Sequence, residues 1–149
     1  MPRSKKQKMV NNPPIFDSFK PTGVNRNSLQ RLVLELDEYE AIRLCDYLGL
    51  EHAEAAEEME ISRSTFSRLI DRARQKMSVF LIEGKELFIQ GGNIHFRKNL
   101  IRCYSCGHLF HLEMGTVLTE CPACQSENLL NMAGGFGHGR CCIKNKGRR

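Results

Sequence analysis

The chain has 149 residues, of which 41% are hydrophobic and 26% charged, and its net charge is +5. This length suffices for one domain or two small ones, and because no run of ~18 apolar residues occurs, we expect no membrane span. The basic N-terminus lacks the apolar segment of a secretory signal, so we expect a cytoplasmic protein. In that compartment cysteines are more typically metal ligands than disulfides, and Cys45, on the apolar side of its predicted helix, is expected to be a small core residue.

Both ends of the chain are basic. Residues 1–20 carry five basic side chains and one acidic, and residues 140–149 carry five basic and none acidic. Such arms commonly add non-specific attraction to nucleic acid, although solubilising tails have the same composition. Prolines and Gly23 disfavour regular helix near the N-terminus. We therefore predict a basic extended arm over residues 1–28 and a glycine-rich basic tail over residues 132–149.

A short strand and a helix follow the arm. Leucines alternate with other residues over 32–36, which predicts a strand. Asp37, with Glu40 three residues later, is typical of a capping box, and Gly49 is typical of the left-handed residue that ends a helix. Between Asp37 and Gly49 we predict the first helix of a three-helix DNA-binding unit, in a domain over residues 29–92.

Residues 51–70 predict two short helices joined by a tight turn. Ser62 can cap the second helix, because its hydroxyl can accept a hydrogen bond from an amide of the first turn. Glu60 stands in the turn, where a left-handed non-glycine residue would cost about 1–2 kcal/mol. This is the pattern of a helix-turn-helix, whose second helix can enter the DNA major groove. The apolar residues at helical spacing are Ala55, Ala56, Met59, Phe66, Leu69, Ile70 and Ala73.

Charge changes sign at this turn. Residues 35–60 carry ten acidic side chains and one basic, whereas residues 62–76 carry five basic and one acidic. A helix that contacts phosphates and base edges should be basic, so the outward side of the second helix supplies the predicted DNA contacts. These are Arg63, Ser64, Ser67 and Arg68 for base edges, and Arg72, Arg74 and Lys76 for phosphates.

A second strand is predicted over residues 87–90, closed by Gly91 and Gly92. It could pair with the strand over 32–36, either within one chain or across a dimer. DNA sites with two-fold symmetry would favour a homodimer, by analogy with other helix-turn-helix proteins.

Residues 2–92 resemble an uncharacterised prokaryotic family of predicted DNA-binding proteins, whose helix-turn-helix is similar to region four of the bacterial sigma factors. The resemblance implies DNA binding in a regulatory role and names no target. Glu60 departs from the glycine that is common at its position. The residues that carry the resemblance are Phe19, Lys20, Pro21, Gly23, Leu34, Asp37, Glu38, Glu40, Ala41, Arg43, Leu44, Asp46, Ala55, Ala56, Met59, Ser62, Arg63, Thr65, Phe66, Arg68, Ala73, Arg74, Lys76, Gly84, Lys85, Gly91 and Gly92.

Two Cys-x-x-Cys pairs follow, Cys103 with Cys106 and Cys121 with Cys124, separated by fourteen residues. Four thiolates at this spacing are typical of a tetrahedral zinc site, and the segment 93–131 resembles a zinc ribbon. Because the knuckles also resemble those of rubredoxin, iron is possible as well as zinc. A closed four-cysteine site leaves no open position for catalysis, so we expect a structural Zn²⁺.

The remaining histidines and cysteines give weaker signals. His95, His108 and His111 lie near the four-cysteine segment, and we expect them on the surface or in support of the ligands. His138, Cys141 and Cys142 could form a labile metal or redox site. Adjacent cysteines do not readily chelate one ion, so a disordered tail is favoured there.

These observations predict a mainly α fold: a helix-turn-helix domain with short flanking strands, followed by a small β zinc ribbon. The favoured function is that of a sequence-specific DNA-binding regulator with double-stranded DNA as its partner. The alternatives are a metal- or redox-responsive regulator and, less favoured, a rubredoxin-like electron carrier. Paired carboxylates, a nucleophile triad and a phosphate loop are not evident, so we expect neither an enzyme nor a small-molecule substrate.

Overall fold

The computed structural model of the chain describes residues 7–138 and 140–143, which form two compact units. The first contains residues 7–9 and 16–94, and the second contains residues 10–15 together with those from 95 onward. The basic side chains of residues 1–6 and 144–149, to which we assigned non-specific attraction, lie outside the described residues. Within the described part of the chain, no helix has the length and apolar character needed to cross a bilayer.

The fold is mixed α/β, and the prediction of a mainly α fold is wrong. Of the described residues, 38% are helical and 22% are in strands, which form three small sheets. The strands were underestimated because most are short and pair with segments distant in sequence, so they show little local alternation. They are β1 (Lys8–Val10), β2 (Ser18–Phe19), β3 (Arg31–Leu34), β4 (Glu86–Ile89), β5 (Ile94–Phe96), β6 (Lys98–Cys103), β7 (Leu109–Glu113) and β8 (Leu129–Asn131).

The sheet of the first unit has the order β2-β4-β3. β3 and β4 run parallel, with Val33 opposite Phe88, and β2 pairs antiparallel with β4. The predicted pairing of the two strands is therefore confirmed within one chain. Residues 16–28, which we predicted as part of an extended arm, supply β2 and a 3-10 turn, Arg26–Ser28.

Three helices connect β3 to β4: α1 (Leu36–Ile42), which continues as a π-helical turn over Arg43–Tyr47, α2 (His52–Met59) and α3 (Arg63–Glu83). The capping prediction is wrong by two residues, because Glu35 occupies the N-cap and its amide donates to Glu38 Oε1 at 2.9 Å. Asp37 lies inside the first turn and pairs with Lys8 at 3.1 Å.

The three helices share one apolar core. The turn between α2 and α3 contains Glu60 in the left-handed conformation, with φ of 57°, and Ser62 Oγ accepts from the Thr65 amide at 3.2 Å. Ile61 packs against the core between these two positions. The buried core residues are Ala41, Leu44, Ala55, Ala56, Met59, Phe66, Leu69 and Ile70.

The second unit is built on the antiparallel sheet β7-β6-β8. Two short helices follow, α4 (Met132–Gly135) and α5 (Arg140–Ile143). The prediction of a disordered tail is wrong for residues 132–138 and 140–143. Buried Asn99 holds the start of this segment, since its Oδ1 accepts from the Ala133 amide at 3.0 Å and its Nδ2 donates to Asn131 Oδ1 at 2.8 Å.

Candidate nucleic-acid surface and metal centres

The N-terminal half of α3 presents a basic surface to solvent. Arg63, Ser64, Arg68 and Arg72 are all exposed, and we call these four residues the α3 basic face. Phe66, Leu69 and Ile70 point into the core from the opposite side of the helix, as helical periodicity requires. Because one side is fully packed, the position of the basic face is set by the core.

Ser67, predicted to contact base edges, is half-buried. Its hydroxyl lies 2.9 Å from Nδ1 of His52, the first residue of α2. The His52 ring in turn meets the Phe66 ring edge-on, with centroids 5.4 Å apart. Ser67 therefore helps to join α2 to α3, and we leave it out of the α3 basic face.

Arg74 and Lys76, predicted to contact phosphates, are both held within the first unit. Arg74 Nη2 lies 2.7 Å from Asp46 Oδ1, and hydrogen bonding to Asp46 raises the pKa of Arg74. Lys76 Nζ lies 2.6 Å from Glu38 Oε1, whose residue is only 2% exposed. A buried carboxylate needs a paired cation, so the role that the structure gives Lys76 is to neutralise Glu38.

The four predicted metal ligands come together in the second unit. Cys103 Sγ lies 3.5 Å from Cys124 Sγ, and Cys106 Sγ lies 3.7 Å from Cys121 Sγ. All four sulfur atoms lie within 4.8 Å of one another. Sulfurs bound at ~2.3 Å to one tetrahedral ion lie ~3.8 Å apart, so this group has the geometry to bind a metal.

Two similar backbone turns position these cysteines. The Gly107 amide donates to the Cys103 carbonyl at 2.9 Å, and the Gln125 amide donates to the Cys121 carbonyl at 2.8 Å. Gly107 and Gln125 both have positive φ, at 78° and 63°. Each Cys-x-x-Cys pair thus closes with a left-handed residue directly after its second cysteine, which turns the chain back over the sulfurs.

Hydrogen bonds also set the protonation of these thiols. The Cys106 amide lowers the pKa of Cys103 to about 6. The Ser126 amide acts to lower the pKa of Cys124, but the thiol contact with Cys103 and desolvation outweigh it and raise that pKa to about 12. The lowered pKa of Cys103 favours its thiolate, which is the form that binds metal.

A second group of potential ligands joins His95 to the three residues that we named as a possible labile metal or redox site, although a disordered tail was favoured there. His95, His138, Cys141 and Cys142 each offer one ligand atom, and these atoms all lie within 4.8 Å of one another. Desolvation, followed by the charge of His95, lowers the pKa of His138. The spacing of His138 to Cys141, one helical turn, was the signal in the sequence, but His95 is 43 residues away from His138 and no pattern joins them. His108 and His111 lie outside both groups: the first stacks on Phe110 and the second contacts Asn12.

The chain has relatives along nearly its whole length. The family described as "Protein of unknown function DUF134" matches residues 1–97. A UPF0251 protein of Chloroherpeton thalassium is 50% identical, covering 94% of this chain and 95% of the relative. A UPF0251 protein of Chlorobaculum tepidum is 41% identical over 94% of this chain and 74% of its own length. One of Pelotomaculum thermopropionicum is 41% identical over 85% and 95%. No solved structure gives a significant match.

Proposed function

We propose that this chain, which belongs to the DUF134 family, is a sequence-specific double-stranded DNA-binding protein that acts in transcriptional regulation. The observation that carries the proposal is the α3 basic face. It consists of three arginines and a serine at the start of a 21-residue helix whose other side is buried against α1 and α2. The α2–turn–α3 segment has the order of a helix-turn-helix, in which the first residues of the second helix contact base edges.

The chemistry of the face suits DNA. An arginine guanidinium can donate two hydrogen bonds to the O6 and N7 atoms of one guanine, and a serine hydroxyl can donate or accept. Arg63, Ser64 and Arg68 lie on the first two turns of α3, where base contacts are expected. Arg72 lies one turn further on, and we assign it to a phosphate. Thr65 and Asp71 complete the shallow depression that Arg68 and Arg72 line on this surface.

The acidic half of the domain supports the same assignment. Two acidic side chains of α1 are used inside the fold: Glu38 and Asp37 are buried and paired with Lys76 and Lys8. These buried carboxylates are therefore neutralised by lysines that lie outside the α3 basic face.

For the four-cysteine group we propose Zn²⁺. Four thiolates in a tetrahedron are the ligands of structural zinc, and iron is the alternative that the same ligands accept. A bound ion would supply folding energy to the small sheet β7-β6-β8, because so few residues bury little apolar surface. The residues that would hold it are Cys103, Cys106, Cys121 and Cys124. This centre would stabilise the second unit and take no part in reading DNA.

Selection of bound sequences from a random duplex pool tests the proposal. With the metal-loaded full chain we expect one enriched motif, and two half-sites in it would indicate that two copies bind together. Arg68→Ala should relax the preference at one position, at a cost of about 1–3 kcal/mol. Arg68→Lys keeps the charge and loses the bidentate fork, so it should relax the same position while weakening non-specific binding less.

The matched control is Lys98→Ala, which removes one exposed charge outside the α3 basic face and should leave the motif unchanged. A folded sample that enriches no sequence would overturn the proposal. A motif that Arg63→Ala and Arg68→Ala leave intact would overturn the assigned face. Metal analysis of the same sample distinguishes zinc from iron.

A further inference from the structure

The C-terminal segment of the second unit returns to β5 and brings two histidines together with two cysteines. His95 lies on β5 and is 6% exposed, and Cys142 lies on α5 and is 2% exposed. His138 and Cys141 are half-buried. Buried imidazole and thiol groups of this kind seldom converge without a role, because each loses solvent on burial.

We infer that His95, His138, Cys141 and Cys142 form a second metal site, here called the His₂Cys₂ site, which binds Zn²⁺. It shares no residue with the four-cysteine group and does not depend on the DNA-binding proposal. Together the two groups would give the chain a capacity for two zinc ions.

The distances fit a tetrahedral ion. His138 Nδ1 lies 3.2 Å from Cys141 Sγ and 3.8 Å from Cys142 Sγ, and the two sulfur atoms lie 3.8 Å apart. With zinc–sulfur bonds of ~2.3 Å and zinc–nitrogen bonds of ~2.0–2.1 Å, the edges of a tetrahedron are ~3.3–3.8 Å long. The sulfur separation also exceeds the ~2.05 Å of a disulfide, so both thiols are available as ligands.

Adjacent cysteines are unusual partners for one ion, and the fold shows how both reach it. Gly137 has φ of 79°, and the His138 amide donates to the Ala133 carbonyl at 2.9 Å. The chain therefore turns back after α4, and His138 lies close to β5. α5 then begins at Arg140, so that Cys141 and Cys142 lie on its first turn, close to the imidazole.

The surroundings of Cys142 are those of a metal-bound thiolate. The backbone amide of Phe96 donates to Cys142 Sγ at 3.1 Å, and hydrogen bonds from outside the ligand shell orient ligands and tune a centre. The Phe96 ring, 1% exposed, meets the His138 ring edge-on with centroids 5.3 Å apart. This contact fixes the imidazole plane and screens one side of the site from water.

The ligand set selects the metal. Two thiolates and two imidazoles form a closed tetrahedral set that suits Zn²⁺, whereas Ca²⁺ and Mg²⁺ prefer oxygen ligands. A closed set of four protein ligands leaves no position for a substrate, so the site is structural. Its ion would fasten the segment 134–143 to β5.

The test is the zinc content of the full chain, purified under reducing conditions without chelator and exposed to Zn²⁺ alone. We expect two zinc ions per chain for the wild type, and one for His138→Ala and for Cys142→Ser. Cys45→Ser and His108→Ala remove a cysteine and a histidine outside both groups and should retain two. A wild type that binds one ion and keeps it in Cys142→Ser, or a Cys142→Ser variant that retains two, would overturn the inference.

Cobalt substitution guards against a variant that fails to fold. Tetrahedral Co²⁺ bound by four thiolates absorbs at longer wavelengths than Co²⁺ bound by two thiolates and two imidazoles. In His138→Ala we expect the four-thiolate spectrum to remain while the second component disappears, which shows that the rest of the second unit is intact. If His138→Ala leaves the whole spectrum unchanged, the inference is wrong. Neither result depends on whether the protein binds DNA.

Discussion

Lys76 Nζ lies 2.6 Å from Glu38 Oε1 and 2.9 Å from the carbonyl oxygen of Val33, so one ammonium group joins α3 to α1 and to β3. Glu38 is 2% exposed, and the Glu35 amide also donates a hydrogen bond to its Oε1. A residue that the charge pattern assigned to DNA thus supports the frame that carries the α3 basic face.

Lys76→Met should destabilise the first unit by about 2–4 kcal/mol, because it leaves Glu38 charged and buried without its cation. Urea unfolding of the full chain, followed by helical circular dichroism, measures the loss. Arg72→Met, an exposed change on the same helix, should stay within about 0.5 kcal/mol of the wild type. Glu38→Gln combined with Lys76→Met should cost less than the sum of the two single changes, since the charge is then absent. Strict additivity would show that the pair is not coupled.

Glu60→Gly should stabilise the first unit by about 0.5–1 kcal/mol. Glu60 has φ of 57° and ψ of 42°, a conformation that costs an L-residue about 1–2 kcal/mol. Glycine removes this cost, but its greater conformational freedom in the unfolded chain offsets part of the gain in stability. The measurement is the denaturation midpoint. Gln75→Gly, in the exposed middle of α3, is the matched control and should destabilise by about 0.5–1 kcal/mol. Equal signs for the two changes would contradict the role of the turn.

Arg72→Ala should weaken binding to specific and random duplexes alike. If Arg72 neutralises one phosphate, its removal lowers by about 1 the slope of log affinity against log salt concentration. Fluorescence anisotropy over a series of salt concentrations gives that slope. Lys98→Ala should leave the salt slope unchanged. If Arg72→Ala weakened binding to the specific site alone, Arg72 would be assigned to a base contact rather than to a phosphate contact.

Removal of the four-cysteine metal should unfold the second unit while the first unit stays helical. The change is Cys103→Ser, and the small sheet β7-β6-β8 has too little apolar burial to fold without its ion. Circular dichroism should lose little helix signal, because α1, α2 and α3 contain most of the helical residues. Proteolysis should become rapid between residues 98 and 131. Loss of all helicity would show that the two units share one folding transition.

The features predicted successfully from the sequence are those whose signal is local. The Cys-x-x-Cys knuckles and the Ser62 cap each depend on residues within four positions of one another. The pairing of β3 with β4 was accessible because both strands have a clear apolar pattern. The full His₂Cys₂ site was not accessible, since it needs a strand at His95 and a folded segment around His138, where the glycines favoured a disordered tail. The role of Lys76 depends on the burial of Glu38, which no charge pattern reveals.

The parallel pairing of β3 with β4 has a consequence for how the first unit folds. These strands flank residues 35–85, which contain all three helices of the first unit. The hydrogen bonds between the strands therefore cannot form until the ends of that whole segment have come together. Closing so long a loop costs entropy that only the finished helical core offsets. We expect the amides of β4 to acquire hydrogen-exchange protection last, so that the β3–β4 ladder completes the folding of the first unit.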